Sequence, residues 1–429
     1  MRRPNRALLL LLAGGVCVAA VARKKTALPQ VTVSAAMRAA ALKNVSAYLD
    51  DSAGQGFAQP GALVPLFERL YRSSSSEGQP AVHIVQFGDS HTAADEWTGD
   101  LRRQFQQRFG DGGSGFSLAG HPFAGYRRFD IRGGGTTLWH SAGLRSAVGD
   151  GYFGLGGVSI SVEQAGQSIF VETECDTLEV DFLQQPGGGR LTLSDDDGHL
   201  DEISTDGEMA PGFVRYDVSG GSHRFKLTTL TAQPVRLFGW VADRNSGVTY
   251  EALGINGAEA SVLMKWNDTM LATYLQRRDP GLIVLAYGTN EASDPNWTPE
   301  SYGAMFNSLL ERLRASAPAA SILVIGPTDR WYRTRAGWKV LAGIDGIIAA
   351  QKHACRVNRC AYWDARERMG GRGSMRDWVY AGLAQGDYVH FTAEGYRRLA
   401  GVEYDDIIGQ YEAYKKVRTG GEVPHGNAR

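Results

Sequence analysis

The sequence predicts an α/β fold, a parallel sheet covered on both faces by helices, interrupted by an all-β insertion. Three observations carry this. A short apolar run followed by an amphipathic stretch opens the ordered part, and the same alternation returns through the second half of the chain. Between them, from Tyr126 to Val241, no helical period is found. That middle stretch instead holds short alternating runs separated by turn clusters such as Pro186-Gly187-Gly188-Gly189 and Ser219-Gly220-Gly221. Alternating strands and helices imply a parallel sheet, and many short strands with frequent turns imply a sandwich, here of jelly-roll kind.

The elements follow in order. Val31 to Ser52 and Leu63 to Tyr71 carry apolar residues at helical spacing. Ala81 to Phe87 is a mostly apolar run ending at Gly88, as a buried parallel strand requires. Asp95 to Phe109 places Trp97, Leu101, Phe105 and Phe109 four apart, on one helical face. The β segment follows, and its Asp195-Asp196-Asp197-Gly198 reads as a hairpin turn because it lacks the ligand spacing of a calcium loop. Helices are then expected over Ala258–Arg278, Pro299–Arg314, Gly337–His353 and Thr392–Tyr414, the last with Thr392 as N-cap. Strands are expected over Leu282–Tyr287, Ile322–Ile325 and Ala361–Asp364. The expected organisation is a leader at 1–22, a helical lead-in at 23–78, the α/β domain at 79–121 and 246–416, the β insertion at 122–245, and a tail at 417–429.

The chain has 429 residues, 21% of them charged, with a formal net charge of -1. This is not the basic footprint of a nucleic-acid binder, and no nucleic-acid partner is expected. Met1-Arg2-Arg3, the apolar run Ala7–Ala22 and the small residues of Ala20-Val21-Ala22 read as an export signal. Arg23-Lys24-Lys25 after that site leaves an uncleaved membrane anchor as the alternative. Export permits disulfides, and Cys355 and Cys360 are close enough in sequence to close a small loop, with Cys175 a lone buried thiol. His353 beside that pair matches no standard zinc spacing, and no metal or cofactor is expected.

Four short blocks carry candidate chemistry. Phe87-Gly88-Asp89-Ser90-His91-Thr92 sets Ser90 at the carboxyl end of a strand, where open α/β sheets bind ligands. A helix-capping serine is the alternative reading of that hexapeptide. Ile255-Asn256-Gly257-Ala258 offers a bare backbone N–H at Gly257, or an ordinary Asn-Gly turn. Tyr287-Gly288-Thr289-Asn290-Glu291-Ala292 ends a strand with an amide that can donate to an oxyanion or cap a turn. Asp387-Tyr388-Val389-His390 precedes the last helix, with an acid and a histidine three apart that can face one cleft. The Gly-x-Ser-x-Gly elbow of the ordinary α/β-hydrolases is absent.

Together and in this order the four blocks resemble the SGNH hydrolases. The resemblance implies a flavodoxin-like three-layer α/β/α domain. It implies Ser90 as nucleophile, His390 as base and Asp387 as third member of the triad. The Ser90 and Gly257 amides and the Asn290 side chain would form the oxyanion hole. Gly-Asp-Ser-His departs from the commoner Gly-Asp-Ser-Leu, which singles out His91. Gly88 to Asp95, then Arg102, Phe109-Gly110-Asp111-Gly112-Gly113 and Gly115-Phe116 look like the Gram-negative peptidoglycan O-acetylesterases, which carry a similar β-sandwich insertion. That likeness implies removal of acetyl from the 6-hydroxyl of N-acetylmuramic acid in the periplasm. An acetyltransferase would use the same triad, and a glycan-binding protein without catalysis would need neither triad nor oxyanion donors.

Overall fold

The computed structural model describes residues 32–50, 56–75, 79–146, 149–196 and 198–420. The expected leader therefore lies outside the described residues, as do Asp197 and most of the tail.

Five parallel strands make the central sheet. In spatial order they are Ala361–Trp363, Ser321–Ile325, Leu282–Ala286, Val82–Gly88 and Val248–Gly254, with Phe57–Ala58 antiparallel on the far edge. Numbered along the chain this is the 2-1-3-4-5 order of flavodoxin-like sheets, with a topological switch point between the first and third strands. Leu282–Ala286 and Ser321–Ile325 read as nearly continuous apolar runs because both faces are covered. Helices Glu96–Phe109 and Ala393–Arg418 lie on one face, and Asp268–Arg278, Pro299–Ser316 and Gly343–Asn358 on the other.

The insertion consists of two antiparallel sheets around a core that includes Ile169, Leu178, Leu193, Phe225 and Trp240. Arg190–Asp195 and Gly198–Ser204 pair antiparallel with Asp195 opposite Gly198, so the Asp-rich segment is a hairpin. Gly113–Leu118 pairs with Val235–Asp243, so hydrogen bonding to the sandwich begins before residue 122. Phe116, Leu118, Phe153 and Phe238 of this strand-rich region pack in the same core as Leu253, Tyr274 and Leu285 of the α/β domain.

The structure departs from the sequence reading in four places. The helix expected over Ala258–Arg278 is broken: a 3-10 turn covers Ala260–Lys265, and the α-helix starts at Asp268. Asn267 resets it by accepting the Met270 N–H at 3.1 Å, the work of an N-cap. The helix expected from Gly337 begins at Gly343, because Gly337–Val340 forms a hairpin with Trp331–Thr334. There Trp338 stacks on Tyr388 with ring centroids 4.4 Å apart, a tertiary contact that outweighs helical propensity. The strand Val248–Gly254 had no expected counterpart. Glu251 at its centre breaks the apolar pattern and is fully buried against Arg278. Finally, Cys355 and Cys360 are free thiols, not a disulfide, each packed in the apolar core as a small hydrophobe; Cys175 is a buried thiol. His353 is exposed on the helix that buries Cys355, so the two do not converge.

Candidate active site

The sheet order fixes where the site lies. Val82–Gly88 stands at the switch point, so the loops leaving it and its neighbour Leu282–Ala286 diverge and leave a crevice. Ser90 leaves the first of these strands, Asn290 follows the second, and Gly257 follows Val248–Gly254 on the other side.

The turn into Ser90 is built by close approach. A Cβ on Gly88 would stand 2.1 Å from Thr92 Oγ1, and one on Gly254 2.2 Å from the Ala93 nitrogen. Both positions exclude any side chain, and that lets the Ser90 helical turn press onto the neighbouring strand. Asp89 caps this turn, its carboxylate accepting the His91 N–H at 2.9 Å. Burial pushes the Asp89 carboxyl up to about 6.

Ser90 Oγ lies 2.9 Å from His390 Nε2, and His390 Nδ1 lies 2.7 Å from Asp387 Oδ2. The second Asp387 oxygen accepts the backbone N–H groups of Val389 and His390, each at 3.0 Å. The loop is folded for this: Tyr388 takes a left-handed conformation (φ 59), which brings Asp387 and His390 back onto one side. Trp331 and Trp338 hold Tyr388 there. The hydrogen bond to Asp387 raises the imidazole above its usual value. Burial alone would raise Asp387, but its bonds to the His390 ring and backbone outweigh that and hold it below the usual carboxylate range. A base raised by its carboxylate and aimed at a serine hydroxyl can take the proton of that hydroxyl.

The expected oxyanion donors flank this relay. Gly257 is in the left-handed region (φ 68), and its carbonyl accepts from Arg145 Nε at 3.1 Å. Among the described residues neither the Ser90 nor the Gly257 N–H has a hydrogen-bond acceptor. Asn290 Nδ2 donates to the Ala258 carbonyl at 2.9 Å, with Asp89 Oδ2 at 3.5 Å, a contact too long to hold the second hydrogen firmly. The bond to Ala258 therefore ties the Asn290 side chain to the Gly257 turn.

Three groups around the site, Glu291 and His91 buried and Arg330 half-buried, had no expected role. Glu291 bridges the two loops, accepting from the Ala260 N–H at 2.8 Å and the Gly288 N–H at 3.0 Å, and burial pushes it up to about 8. Arg330 donates to the Thr289 carbonyl at 2.6 Å and to Ser293 Oγ, bracing the Asn290 loop. Its position just past the carboxyl end of Ser321–Ile325 was the available signal. His91, singled out in sequence, is buried with Nδ1 2.8 Å from the Tyr396 hydroxyl and Nε2 unpartnered. Burial pulls it down to about 3, so it packs as a neutral ring 5.2 Å from the His390 ring.

Residues 221–398 match the model of the GDSL-like lipase/acylhydrolase family, a span that holds Gly257, Asn290, Asp387 and His390 but not Ser90. A solved peptidoglycan O-acetylesterase superposes with a TM-score of 0.70 at 28% identity, covering 81% of this chain and 96% of that one. Family two carbohydrate esterases from Clostridium thermocellum and Cellvibrio japonicus align at 12% and 10% identity. They cover 61% and 65% of this chain and 95% and 99% of theirs, with TM-scores of 0.29 and 0.28. A comparison with curated protein sequences returns no match. The flavodoxin-like sheet with its β insertion, the family match and the likeness at a TM-score of 0.70 agree: this chain carries a GDSL-like acylhydrolase domain, resembles the SGNH hydrolases and is a carboxylic ester hydrolase.

Proposed function

We propose that this protein removes O-acetyl groups from a cell-wall glycan, namely the 6-O-acetyl of N-acetylmuramic acid in peptidoglycan, after export to the periplasm. The observation that carries the reading is the likeness to a peptidoglycan O-acetylesterase over 81% of the chain. The export part rests on the basic and apolar character of residues 1–22.

In this reading Ser90 Oγ attacks the acetyl carbonyl while His390 Nε2 takes its proton. The Ser90 and Gly257 N–H groups and the Asn290 amide receive the negative charge that develops on the carbonyl oxygen. The sugar hydroxyl leaves with the proton from His390, and the acetyl group stays on Ser90. Water, deprotonated by His390, then releases acetate and restores the serine. Asp387 keeps the imidazole in the tautomer whose Nε2 lone pair faces Ser90. No cofactor or metal enters these steps.

The test is acetate release from O-acetylated peptidoglycan, with Ser90→Ala as control. Release by the wild type and loss in the variant are expected. Activity retained by Ser90→Ala removes the nucleophile assignment. Acetylated glycan formed without free acetate identifies a transferase instead.

A further inference from the structure

The insertion touches the oxyanion turn directly. Asn256 Nδ2 donates to the Ala124 carbonyl at 3.1 Å, and Arg145 Nε donates to the Gly257 carbonyl at 3.1 Å. The Arg145 guanidinium lies against Gly257, since a Cβ there would stand 3.3 Å from Nη2 and 3.5 Å from Cζ. Beside this turn is a cavity of about 260 Å³ whose walls include Phe123, Ser141, Gly143, Arg145, Ile255 and Asn256.

The lining is informative. An aromatic ring, a serine hydroxyl and a guanidinium meet at one concave site, and few polar groups among apolar walls is how small-molecule sites are built. Its volume is just below the usual range for such sites, the size for one sugar unit and not a long chain. Arg145 is exposed, and among the described residues it forms no ion pair. By contrast Arg236, on the sheet whose edge strand ends at Gly143, is held by Asp150 at 2.6 Å. The Gly257 carbonyl takes one of the five guanidinium donors, leaving the Nη edge open. Such an edge matches a carboxylate with two parallel hydrogen bonds.

We propose that this cavity is a subsite for a sugar unit whose substituent carries a carboxylate, read by Arg145. The proposal rests on the glycan-esterase reading above and narrows it. In peptidoglycan the muramic acid lactyl group is such a carboxylate where no peptide is attached; where one is, the lactyl carboxyl is an amide and the peptide supplies the carboxylate. Because the same arginine holds the Gly257 carbonyl, an occupied subsite and an ordered oxyanion turn support each other. Arg145 is thus a positioning residue for Gly257 as well as a ligand.

The experiment measures inhibition of p-nitrophenyl acetate hydrolysis by N-acetylmuramic acid and by N-acetylglucosamine, which differ in the lactyl carboxylate. Wild type, Arg145→Gln and Arg145→Lys are compared, and residual hydrolysis in each variant reports that it folds. The acid is expected to inhibit the wild type about tenfold more strongly than the neutral sugar, as one bidentate charge-assisted pair allows. That ratio should fall to near one in Arg145→Gln and be partly kept in Arg145→Lys. Equal inhibition by the two sugars in the wild type, no inhibition by either, or an undiminished ratio in Arg145→Gln overturns the subsite. Acetate release from O-acetylated peptidoglycan is scored separately. No release with the acid preference intact sinks the substrate reading alone, and release without that preference sinks the subsite alone.

Discussion

Replacing Asp387 with asparagine tests the relay at its most specific point. In the wild type one carboxylate oxygen accepts two backbone N–H groups at 3.0 Å, and the other faces His390 Nδ1 at 2.7 Å. The asparagine carbonyl oxygen satisfies the two backbone donors, so its NH2 must face Nδ1. Two N–H groups cannot share that 2.7 Å contact, so the imidazole has to carry its proton on Nε2. That proton then points at Ser90 Oγ, and the lone pair needed to accept the serine proton is gone. In the Ser-His-Asp template of the serine proteases this change costs about 10⁴ in kcat, or roughly 5 kcal/mol of barrier. The same order is expected here with a p-nitrophenyl acetate assay. The pH profile gives a second readout. His390 must be neutral to act, and its bond to Asp387 raises it above 6.5, so wild-type activity should rise with pH through a midpoint above that value. In Asp387→Asn the leading cause of the raise is removed, and the residual activity should show its midpoint at a lower pH. A loss of less than about tenfold with an unmoved midpoint would show that His390 does not depend on Asp387, and the triad assignment would fall.

Two further outcomes follow from the loops beside Ser90. Asn290→Ala should lower kcat by about 10² to 10³ with little change in KM, as removal of an oxyanion donor does; a change below about threefold would place the amide outside the site and leave it a tie to Ala258. Glu291 concerns stability. Burial pushes its carboxyl up to about 8, so between its usual 4.5 and about 8 the folded protein holds a proton the unfolded chain has lost. Stability from this group is full below 4.5 and declines as pH rises through that window. Glu291→Gln should flatten the fall of Tm between those limits, leaving the shares due to Asp89, pushed up to about 6, and to Glu403, which burial also pushes up to about 8. An unchanged slope would refute the assignment.

Ser90 was legible because it lies in a short polar block at the carboxyl end of an apolar run, a local pattern with a fixed meaning in a parallel sheet, and Asp387 and His390 because an acid and a histidine stand three apart just ahead of the last helix. The triad residues meet across 300 positions of sequence, and no local signal predicts the 2.9 Å contact itself. What failed to show were features set by distant partners. Val248–Gly254 hides as a strand because Glu251 is tolerable there only when Arg278 pairs with it. The second strand of the Trp331–Val340 hairpin hides inside the helix expected from Gly337 because the gain comes from Tyr388, about fifty residues on. Arg145 and Arg330 gave no motif at all: each acts through a backbone carbonyl, of Gly257 and Thr289, and carbonyls are invisible in sequence.

The all-β segment looks removable in sequence, yet the structure argues that excising 123–241 destroys the hydrolase. Gly113–Leu118 would lose all but the last two residues of Val235–Asp243, its ladder partner, and expose Phe116 and Leu118, both buried in the core shared with Leu253 and Leu285. Arg278 holds Glu251 and Asp243 at 2.5 Å and 2.6 Å in a buried cluster, and the cut removes nearly all of the Val235–Asp243 strand that positions Asp243. The Tyr274 hydroxyl, on the same helix, lies 3.0 Å from the Phe182 and Gly212 carbonyls of the insertion. Buried polar groups stripped of partners cost roughly 1–3 kcal/mol each, and a few such losses reach the whole stability of an ordinary domain. The excised protein should therefore lack a cooperative thermal transition and fail to hydrolyse even p-nitrophenyl acetate, whatever the insertion does for glycan. A truncated chain that melts cooperatively and keeps small-ester activity would refute the shared core and make the insertion a detachable module. Point variants such as Arg145→Gln, which leave the ladder and the Arg278 cluster in place, are thus the means of separating glycan recognition from folding.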